Sequence, residues 1–207
     1  MKFIKPIILA FSMFSRIPMP SADWGGGGMR YMMCAFPLVG AVIGLLVWGY
    51  GALCIAAGLG AFLRGAGLAA IPIAVTGGIH LDGLCDVADA LAGGTDAARR
   101  REILKDPHTG AFGVIWCVCY MMLYFAMSAQ LVLEAGRMAV LCLGFVLSRA
   151  LSALAVLSFP QSSGEGLAAT FKSGADAARA SAVLCVTLAA ACAAMLLVSP
   201  IRGAAAI

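Results

Sequence analysis

The stretch CAFPLVGAVIGLLVWGYGALCIAAGL, residues 34–59, contains no charged side chain. A helix that spans a bilayer needs about 20 mostly apolar residues, so this stretch predicts a transmembrane helix. Further stretches of the same kind lie near residues 66–92, 109–133, 137–158 and 180–200. Gly and Ala recur in all of them, and small residues let membrane helices pack closely. We therefore expect an all-α polytopic transmembrane helical bundle of about five spanning helices, with residues 1–207 forming one integral membrane domain.

The composition excludes an ordinary soluble protein. Of the 207 residues, 62% are hydrophobic and 12% are charged, and a soluble domain carries about twice that share of charge. The N-terminal stretch MKFIKPIILAFSMFSRIPMPSA predicts a short interfacial helix on or in the membrane surface. A cleaved signal peptide is the alternative, but Arg16 directly follows the apolar run and no A-x-A cleavage site is present.

Basic residues are distributed unevenly over the loops when these are assigned to alternate sides of the membrane. The richer side holds Lys2, Lys5, Arg16, Arg30, Arg99, Arg100, Arg101, Lys105, Lys172 and Arg179, whereas the other holds Arg64, Arg137 and Arg202. Cytoplasmic loops carry the excess of Lys and Arg. We therefore expect a multi-pass protein of the bacterial plasma (inner) membrane, with its polar, active face in the cytoplasm.

An acidic block, GGIHLDGLCDVADALAGG, lies at the inner end of the second predicted span, residues 77–94. The spacings of four and three place Asp82, Asp86 and Asp89 on one face of a helix. Three neighbouring carboxylates repel one another, and a divalent cation removes the conflict. Mg²⁺ prefers to keep water or phosphate oxygens among its ligands, so the block predicts a magnesium site for a phosphorylated substrate.

Other interpretations of this block stay open. The three aspartates would also suit a solvated helix end, although ionisable residues within a span indicate function by default. His80 is a candidate metal ligand or general base, and a hydrogen-bonded core histidine is the alternative. Gly83 permits close approach of a ligand or of another helix.

Further polar residues lie in segments assigned to the same side. The loop RRREILKDPHTGAFG, residues 99–113, contains Arg101 and Lys105, which can bind phosphate; anchoring to anionic lipid headgroups is the alternative. Arg149 is costly within a span and is expected to face the bundle interior. The remaining candidates for substrate binding are Arg16, Glu165 and Lys172, of which the last two would equally suit surface charges.

Carboxylates with a metal at a membrane face, surrounded by cations, indicate transfer at a phosphate or diphosphate centre. Two aspartate-rich membrane families fit poorly. CDP-alcohol phosphotransferases carry a D-x-x-D-G-x-x-A-R pattern and a later D-x-x-x-D half, which this chain lacks beyond Asp82-Gly83. Membrane prenyltransferases carry two Asp-rich motifs, and only one is visible here.

The block GGIHLDGLCDVADAL resembles the G-G-x-H-x-D-G-L-x-D-x-x-D stretch of the cobalamin-5'-phosphate synthase family, also called adenosylcobinamide-GDP ribazoletransferases. The matching positions are His80, Asp82, Gly83, Asp86 and Asp89. The stretch FSRIPMP resembles the family's R-[IL]-P-x-P segment, and FPLVGAVIG the start of its first long helix. REILKDPHTGAFG resembles its E-I-x-[KR]-D-x-x-x-G-x-x-G loop, and LSRA and GEGLAATF, around Arg149 and Glu165, resemble later segments.

The resemblance implies the last assembly step of the cobalamin nucleotide loop, in which adenosylcobinamide-GDP is joined to α-ribazole or its 5'-phosphate, GMP is released and Mg²⁺ is required. It implies that Asp82, Asp86 and Asp89 bind Mg²⁺, with Asp106 as a further ligand. Lys105 and Arg149 would neutralise phosphate charge, and His80 would act as a base or orient an aspartate. The lipid bilayer and other cobalamin-assembly enzymes are further expected partners; nucleic acid is not expected, because the basic loop has no interleaved aromatic residues.

One departure from the family pattern concerns the C-terminus. Family members end with a T-G-D-x-x-G-A segment, whereas this sequence stops at SPIRGAAAI, so we expect a truncated or divergent member, or a record that lacks this part. Non-enzyme alternatives are a transporter, which predicts polar repeats across the midplane, and a scaffold subunit of a corrinoid-assembly complex.

Overall fold

The computed structural model describes residues 4–22, 27–160 and 166–207, and within these ranges α-helices are the only regular elements. The helices are α1 (Ile4–Phe14), α2 (Gly27–Arg30), α3 (Met32–Ala56), α4 (Ala61–Thr76), α5 (Ile79–Gly93), α6 (Ala97–Ile103), α7 (Ala111–Gln130), α8 (Ala135–Ser158), α9 (Leu167–Gly174), α10 (Ala177–Val198) and α11 (Pro200–Ala206). The all-α prediction is confirmed.

Five membrane crossings are compatible with the lengths and composition of the described helices. Helices α3, α7, α8 and α10 are each long and apolar enough to cross a bilayer, and α4 with α5 forms a bent fifth candidate. Their bounds lie within a few residues of the predicted spans. The chain is therefore a multi-pass membrane protein, as the apolar stretches predict.

The chain forms two compact units, one built from residues 1–57 and 132–207 and the other from residues 58–131. In the first unit, α3 packs closely on α8. The backbone carbonyl of Phe145 lies directly against Gly40, where any side chain would collide with it. One turn further along α3, the carbonyl of Gly44 accepts a hydrogen bond from Cys142 Sγ at 3.0 Å. Small residues thus let the two backbones approach, as expected for membrane helices.

The short helix predicted at the N-terminus is α1, which belongs to the first unit. Its Leu9 and Ala10 are fully buried. The ring of Phe14 packs against Phe36 of α3, with 4.1 Å between centroids, and against Phe171 of α9 at 5.6 Å. Apolar burial against α3 and α9 fixes this helix within its unit, and its interfacial position stays a prediction.

Two acidic residues of the first unit form ion pairs with arginines that are distant in sequence. Asp176, at the N-terminus of α10, receives two hydrogen bonds from the Arg30 guanidinium, at 2.7 and 3.2 Å. Glu134, before α8, contacts Arg137 at 3.2 Å and Arg202 of α11 at 3.1 Å. These pairs tie α2 to α10 and α8 to α11.

The second unit contains α4 to α7, and its distinctive feature is a bend of 91° between α4 and α5. Gly77 and Gly78 make this bend with φ of 66° and 82°, a left-handed conformation that residues with a Cβ adopt only at a cost. The N–H of Gly78 bonds the carbonyl of Ile73 at 3.2 Å, which closes the last turn of α4. The second predicted span, 66–92, is therefore two helices and not one continuous helix.

Helix α7 supports both arms of the bent pair. Gly65 of α4 lies against Ala129 and the carbonyl of Phe125. The neighbouring Arg64 donates a hydrogen bond from Nη2 to the carbonyl of Ala129 at 2.6 Å. This carbonyl lies in the last turn of α7, where carbonyls have no N–H partner within the helix. Helix α5 packs along the other part of α7 and carries the acidic block.

Candidate functional site

Helix α5 begins at the double-glycine bend and carries the whole acidic motif. His80 and Asp82 lie in its first turns and are exposed, and Asp86, one turn later, is half-buried. An acidic residue in the first turn stabilises a helix because it faces the unbonded N–H groups there. The structure thus confirms that one helix holds Asp82, Asp86 and Asp89 at the spacing the sequence predicts.

Asp89 has a different environment from the other two aspartates. Its Oδ2 accepts a hydrogen bond from the backbone N–H of Gly110 at 2.7 Å, and its Oδ1 accepts one from the N–H of Gly113 at 2.9 Å. Gly110 is the N-cap of α7 and Gly113 lies in its first turn, where the N–H groups have no partner within the helix. Asp89 thus caps α7 from a neighbouring helix.

Both donor residues are glycines because the carboxylate lies where a side chain would begin. A Cβ on Gly110 would come 2.5 Å from Asp89 Oδ1, and a Cβ on Gly113 would come 2.5 Å from Asp89 Oδ2. At Gly113 it would also meet the carbonyl of Cys85 at 2.9 Å. The G-x-x-G pair of the loop therefore serves the contact between α5 and α7.

The segment between α6 and α7 holds Lys105, Asp106 and His108, all exposed. Asp106 Oδ1 accepts a hydrogen bond from the N–H of His108 at 3.0 Å and lies 2.7 Å from its Nδ1. These contacts hold the pKa of the Asp106 carboxyl below its ordinary value. Asp106 is thus ionised at neutral pH and fixed within its own turn.

The three arginines of α6 differ in their surroundings. Arg99 forms an exposed ion pair with Glu102 at 2.6 Å, and Arg100 Nε donates to the carbonyl of Gly94 at 3.1 Å, which closes the end of α5. Arg101 is exposed. Arg101 is thus accessible to a ligand, and its role in substrate binding stays a prediction.

The donor chemistry of α5 allows a test of whether a magnesium ion fits. Throughout the described ranges, no three His, Cys, Asp or Glu side chains form a ready metal site. Asp82 and Asp86 nevertheless present carboxylates one helical turn apart, and within those ranges no hydrogen bond or ion pair engages either side chain. Mg²⁺ is commonly held by one or two carboxylates together with substrate phosphates and water. Asp82 and Asp86 fit such an ion, whereas both oxygens of Asp89 already accept N–H bonds.

The other predicted binding residues belong to the first unit. Arg149 is buried in α8, as its cost in lipid predicts, and its guanidinium lies over the Phe145 ring, 5.8 Å from the centroid. Lys172 Nζ donates to the carbonyl of Phe159 at 2.7 Å. Arg16 is exposed after α1. Glu165 lies outside the described residues.

The second unit therefore holds most of the predicted site residues, whose shared role stays a prediction. The candidates on α5, on α6 and in the segment before α7 are His80, Asp82, Gly83, Asp86, Asp89, Arg101, Lys105 and Asp106. Sequence reasoning missed the capping contact made by Asp89. A signal was present, since a G-x-x-G pair at a helix start exposes N–H groups that attract a carboxylate.

Comparison with known proteins gives the family. The family model described as cobalamin-5-phosphate synthase matches residues 6–207. A relative from Lachnoclostridium phytofermentans, named adenosylcobinamide-GDP ribazoletransferase, is 43% identical over 204 residues, which cover 97% of this chain and 76% of the relative. A Clostridium perfringens relative of the same name is 32% identical over 83% of this chain and 68% of its own.

A Clostridium botulinum relative, also named adenosylcobinamide-GDP ribazoletransferase, is 37% identical over 58% of this chain and 48% of its own. The matched regions thus span between about half and three quarters of the length of these relatives. No solved structure matches the chain significantly. Because the family model covers almost the whole chain and the Lachnoclostridium relative matches most of it, the chain belongs to the cobalamin-5-phosphate synthase family.

Proposed function

We propose that this protein transfers the adenosylcobinamide-phosphate moiety of adenosylcobinamide-GDP to α-ribazole, or to its 5'-phosphate, and releases GMP. Membership of the family and the printed name of the 43% identical relative support this proposal. The structural observation that carries it is the pair of carboxylates Asp82 and Asp86 on α5, in the same unit as the basic helix α6 and Lys105.

The proposed reaction replaces a phosphoanhydride bond by a phosphodiester bond. The α-ribazole hydroxyl attacks the phosphorus nearer the cobinamide, and the bond from this phosphorus to the bridging oxygen breaks. GMP leaves with that oxygen and its electron pair, and the hydroxyl proton goes to a base. Charge grows on the leaving phosphate, so the site must stabilise negative charge.

Asp82 and Asp86 are the residues that would hold Mg²⁺. The ion would supply neutralisation of the diphosphate charge and of the leaving oxygen. Two carboxylates leave coordination positions for phosphate oxygens and water, as Mg²⁺ prefers. Because Asp82 and Asp86 are four residues apart, their two carboxylates lie on one face of α5.

The remaining residues of the second unit have separate proposed roles. Lys105 and Arg101, both exposed in this unit, would bind diphosphate oxygens, Lys as a point charge and Arg in a bidentate manner. His80 would accept the hydroxyl proton or orient an aspartate. Gly83 leaves open space beside α5, since nothing lies within 4 Å of a Cβ built there, and would allow close approach of the substrate.

The first unit holds further candidates for contacts to substrate. Arg149 would neutralise phosphate charge from a buried position, and Arg16 and Lys172 would contact other polar parts of the substrates. Glu165 and Asp106 stay candidate contacts, to the substrate and to the metal respectively. Further proposed partners are the lipid bilayer and other cobalamin-assembly enzymes.

The proposed location is the bacterial plasma membrane, with the active face in the cytoplasm. The basic residues of α6 and the segment after it lie at the same end of the second unit as the acidic helix end, whereas Arg64 lies at the other end, against the end of α7. The positive-inside rule then assigns the former end to the cytoplasm.

The test is turnover by the full chain purified in detergent. It is incubated with adenosylcobinamide-GDP, α-ribazole and Mg²⁺, and GMP release and the corrinoid product are measured. We expect equal amounts of both products, lost on addition of EDTA and restored by excess Mg²⁺. A cytidine-diphosphate alcohol in place of adenosylcobinamide-GDP serves as the control substrate. Failure of a folded protein to form either product would contradict the proposal, and turnover of the control alone would favour a CDP-alcohol phosphotransferase.

A further inference from the structure

We propose that Asp89 is a positioning residue that fastens the start of α7 to α5, and that it is not a ligand of the catalytic cation. This inference rests on the proposed function only where it assigns Lys105, in the segment before α7, to binding of the diphosphate substrate. The fastening itself depends on contacts within the second unit.

Both oxygens of Asp89 are committed to main-chain donors. The distances of 2.7 Å to Gly110 N and 2.9 Å to Gly113 N are those of strong, charge-assisted hydrogen bonds. One oxygen goes to each donor, so the plane of the carboxylate is fixed by two points on another helix. Each oxygen keeps a second lone pair, but the carboxylate cannot rotate toward a cation without giving up one of these two bonds.

The packing around Asp89 supports the same assignment. Neither donor position has room for a Cβ beside the carboxylate. The surrounding atoms at Gly113 include Cys85 Cβ and the Cys85 carbonyl, at 3.0 and 2.9 Å from a built Cβ. Asp89, which is partly buried, therefore lies in close contact with the start of α7.

Asp82 and Asp86 differ from Asp89 in this respect. Neither carboxylate has a hydrogen bond or ion pair to any side chain or backbone group that the structure describes, and Asp82 is exposed. The three aspartates thus share a helix face by spacing but differ in their contacts. The carboxylates of Asp82 and Asp86 are available for a cation, whereas that of Asp89 is hydrogen-bonded to the backbone.

The contact has a consequence for the loop that precedes α7. Gly110 ends the segment that carries Lys105 and Asp106, so its bond to Asp89 anchors that segment to the acidic helix. Loss of the bond would let Lys105 move relative to Asp82. We therefore expect weaker binding of the diphosphate substrate, with the cation requirement unchanged.

The experiment compares Asp89→Asn with Asp82→Asn by two readouts that do not need turnover. Amide hydrogen exchange of residues 110–114 reports the fastening, and Mn²⁺ binding by electron paramagnetic resonance reports the cation site. For Asp89→Asn we expect exchange about tenfold faster, as for loss of one charge-assisted hydrogen bond, with Mn²⁺ affinity unchanged within about twofold of wild type. For Asp82→Asn we expect unchanged exchange and weaker Mn²⁺ binding.

A second variant breaks the same contact from the other side. Gly113→Ala is expected to speed exchange at residues 110–114 as Asp89→Asn does, and the double variant is expected to add little. In turnover, both are expected to raise KM for adenosylcobinamide-GDP more than they lower kcat, without raising the Mg²⁺ concentration that gives half-maximal rate.

Two results would overturn the proposal: unchanged exchange in Asp89→Asn, or a loss of Mn²⁺ affinity equal to that of Asp82→Asn. If wild type binds no Mn²⁺, the metal assignment of the proposed function fails, and the exchange result alone decides the fastening. If Asp89→Asn does not fold, Gly113→Ala decides it by the same exchange measurement.

Discussion

Asp89 Oδ1 accepts a hydrogen bond at 2.9 Å from the backbone N–H of Gly113, which lies 24 residues further along the chain. This bond joins the helix with the acidic motif to the helix that follows the cationic loop. The family motif and the family loop, which are separate in the sequence, thus meet in one contact of the second unit.

Replacement of Gly113 by alanine is expected to destabilise the protein. The new Cβ would lie 2.5 Å from Asp89 Oδ2 and 2.9 Å from the Cys85 carbonyl, and overpacking of this kind costs about 1–3 kcal/mol. Gly83→Ala is the matched control, because open space surrounds that position of α5 and alanine favours a helix by up to about 1 kcal/mol. Thermal unfolding in detergent should show a lower Tm for the first variant and no loss for the second; equal values would contradict the observed packing.

At Gly78, in the bend between α4 and α5, glycine is expected to be required for its backbone conformation and not for lack of space. Nothing lies within 4 Å of a Cβ built there, but its φ is 82°. Alanine should therefore cost about 1–2 kcal/mol through left-handed strain. Asparagine, which tolerates this region better, should cost less. Thermal unfolding of both variants checks the order, and a more stable alanine variant would show that the bend does not use this conformation.

Close packing of α3 on α8 is expected to be sensitive to one methyl group. Gly40→Ala would press a Cβ into the Phe145 carbonyl, whereas Gly144→Ala on α8 meets nothing within 4 Å. We expect a loss of about 1–3 kcal/mol for the first and little change for the second, measured by unfolding in a mild detergent. Tolerance of both would mean that the two helices are further apart than the structure has them.

The ion pair of Asp176 with Arg30 should make stability depend on pH. Hydrogen bonds from Arg30 and from the N–H of Arg179 hold the pKa of Asp176 below its ordinary value. Its stabilising effect is then complete above the unfolded pKa, about 3.9, and is lost as the pH falls through the lower folded pKa.

Asp176→Asn tests this dependence, because asparagine keeps the N-cap acceptor for α10 but removes the charge. The variant should have a lower Tm than wild type at pH 7. The difference in Tm should narrow as the pH falls through the lowered folded pKa of Asp176, because the native carboxyl then also becomes neutral. High salt should narrow it at pH 7 as well. A gap that widens on acidification would contradict the assigned direction of the pKa.

Much of the fold could be predicted from composition and spacing. The stretch 34–59 became α3 at Met32–Ala56, and 137–158 became α8 at Ala135–Ser158, since long apolar runs in lipid must satisfy their backbone as helices. The bend at Gly77 and Gly78 was missed because hydropathy continues across it. Only the backbone dihedrals, which a hydropathy pattern does not report, reveal the break.

The candidate site was predictable to a similar extent. Helical spacing placed Asp82, Asp86 and Asp89 on one helix, and the cost of a charge in lipid predicted that Arg149 is buried. The different contacts of Asp89, compared with Asp82 and Asp86, could not be predicted, because its hydrogen-bond donors are backbone N–H groups 21 and 24 residues away. Such a contact depends on how α5 packs on α7, which side-chain spacing along one helix does not determine.

The most direct test of the central claim is turnover of Asp82→Asn and Asp86→Asn as a function of Mg²⁺ concentration. Asp96→Asn is the matched control, because Asp96 caps α6 by accepting the N–H of Arg99 at 2.8 Å and asparagine preserves that cap. We expect GMP release to fall by about 10²–10³-fold or more in the first two variants, as for removal of a transition-state electrostatic contact, with partial recovery at high Mg²⁺ and with near-normal turnover in the control. Normal turnover and normal Mg²⁺ dependence in a folded Asp82→Asn protein would contradict the account.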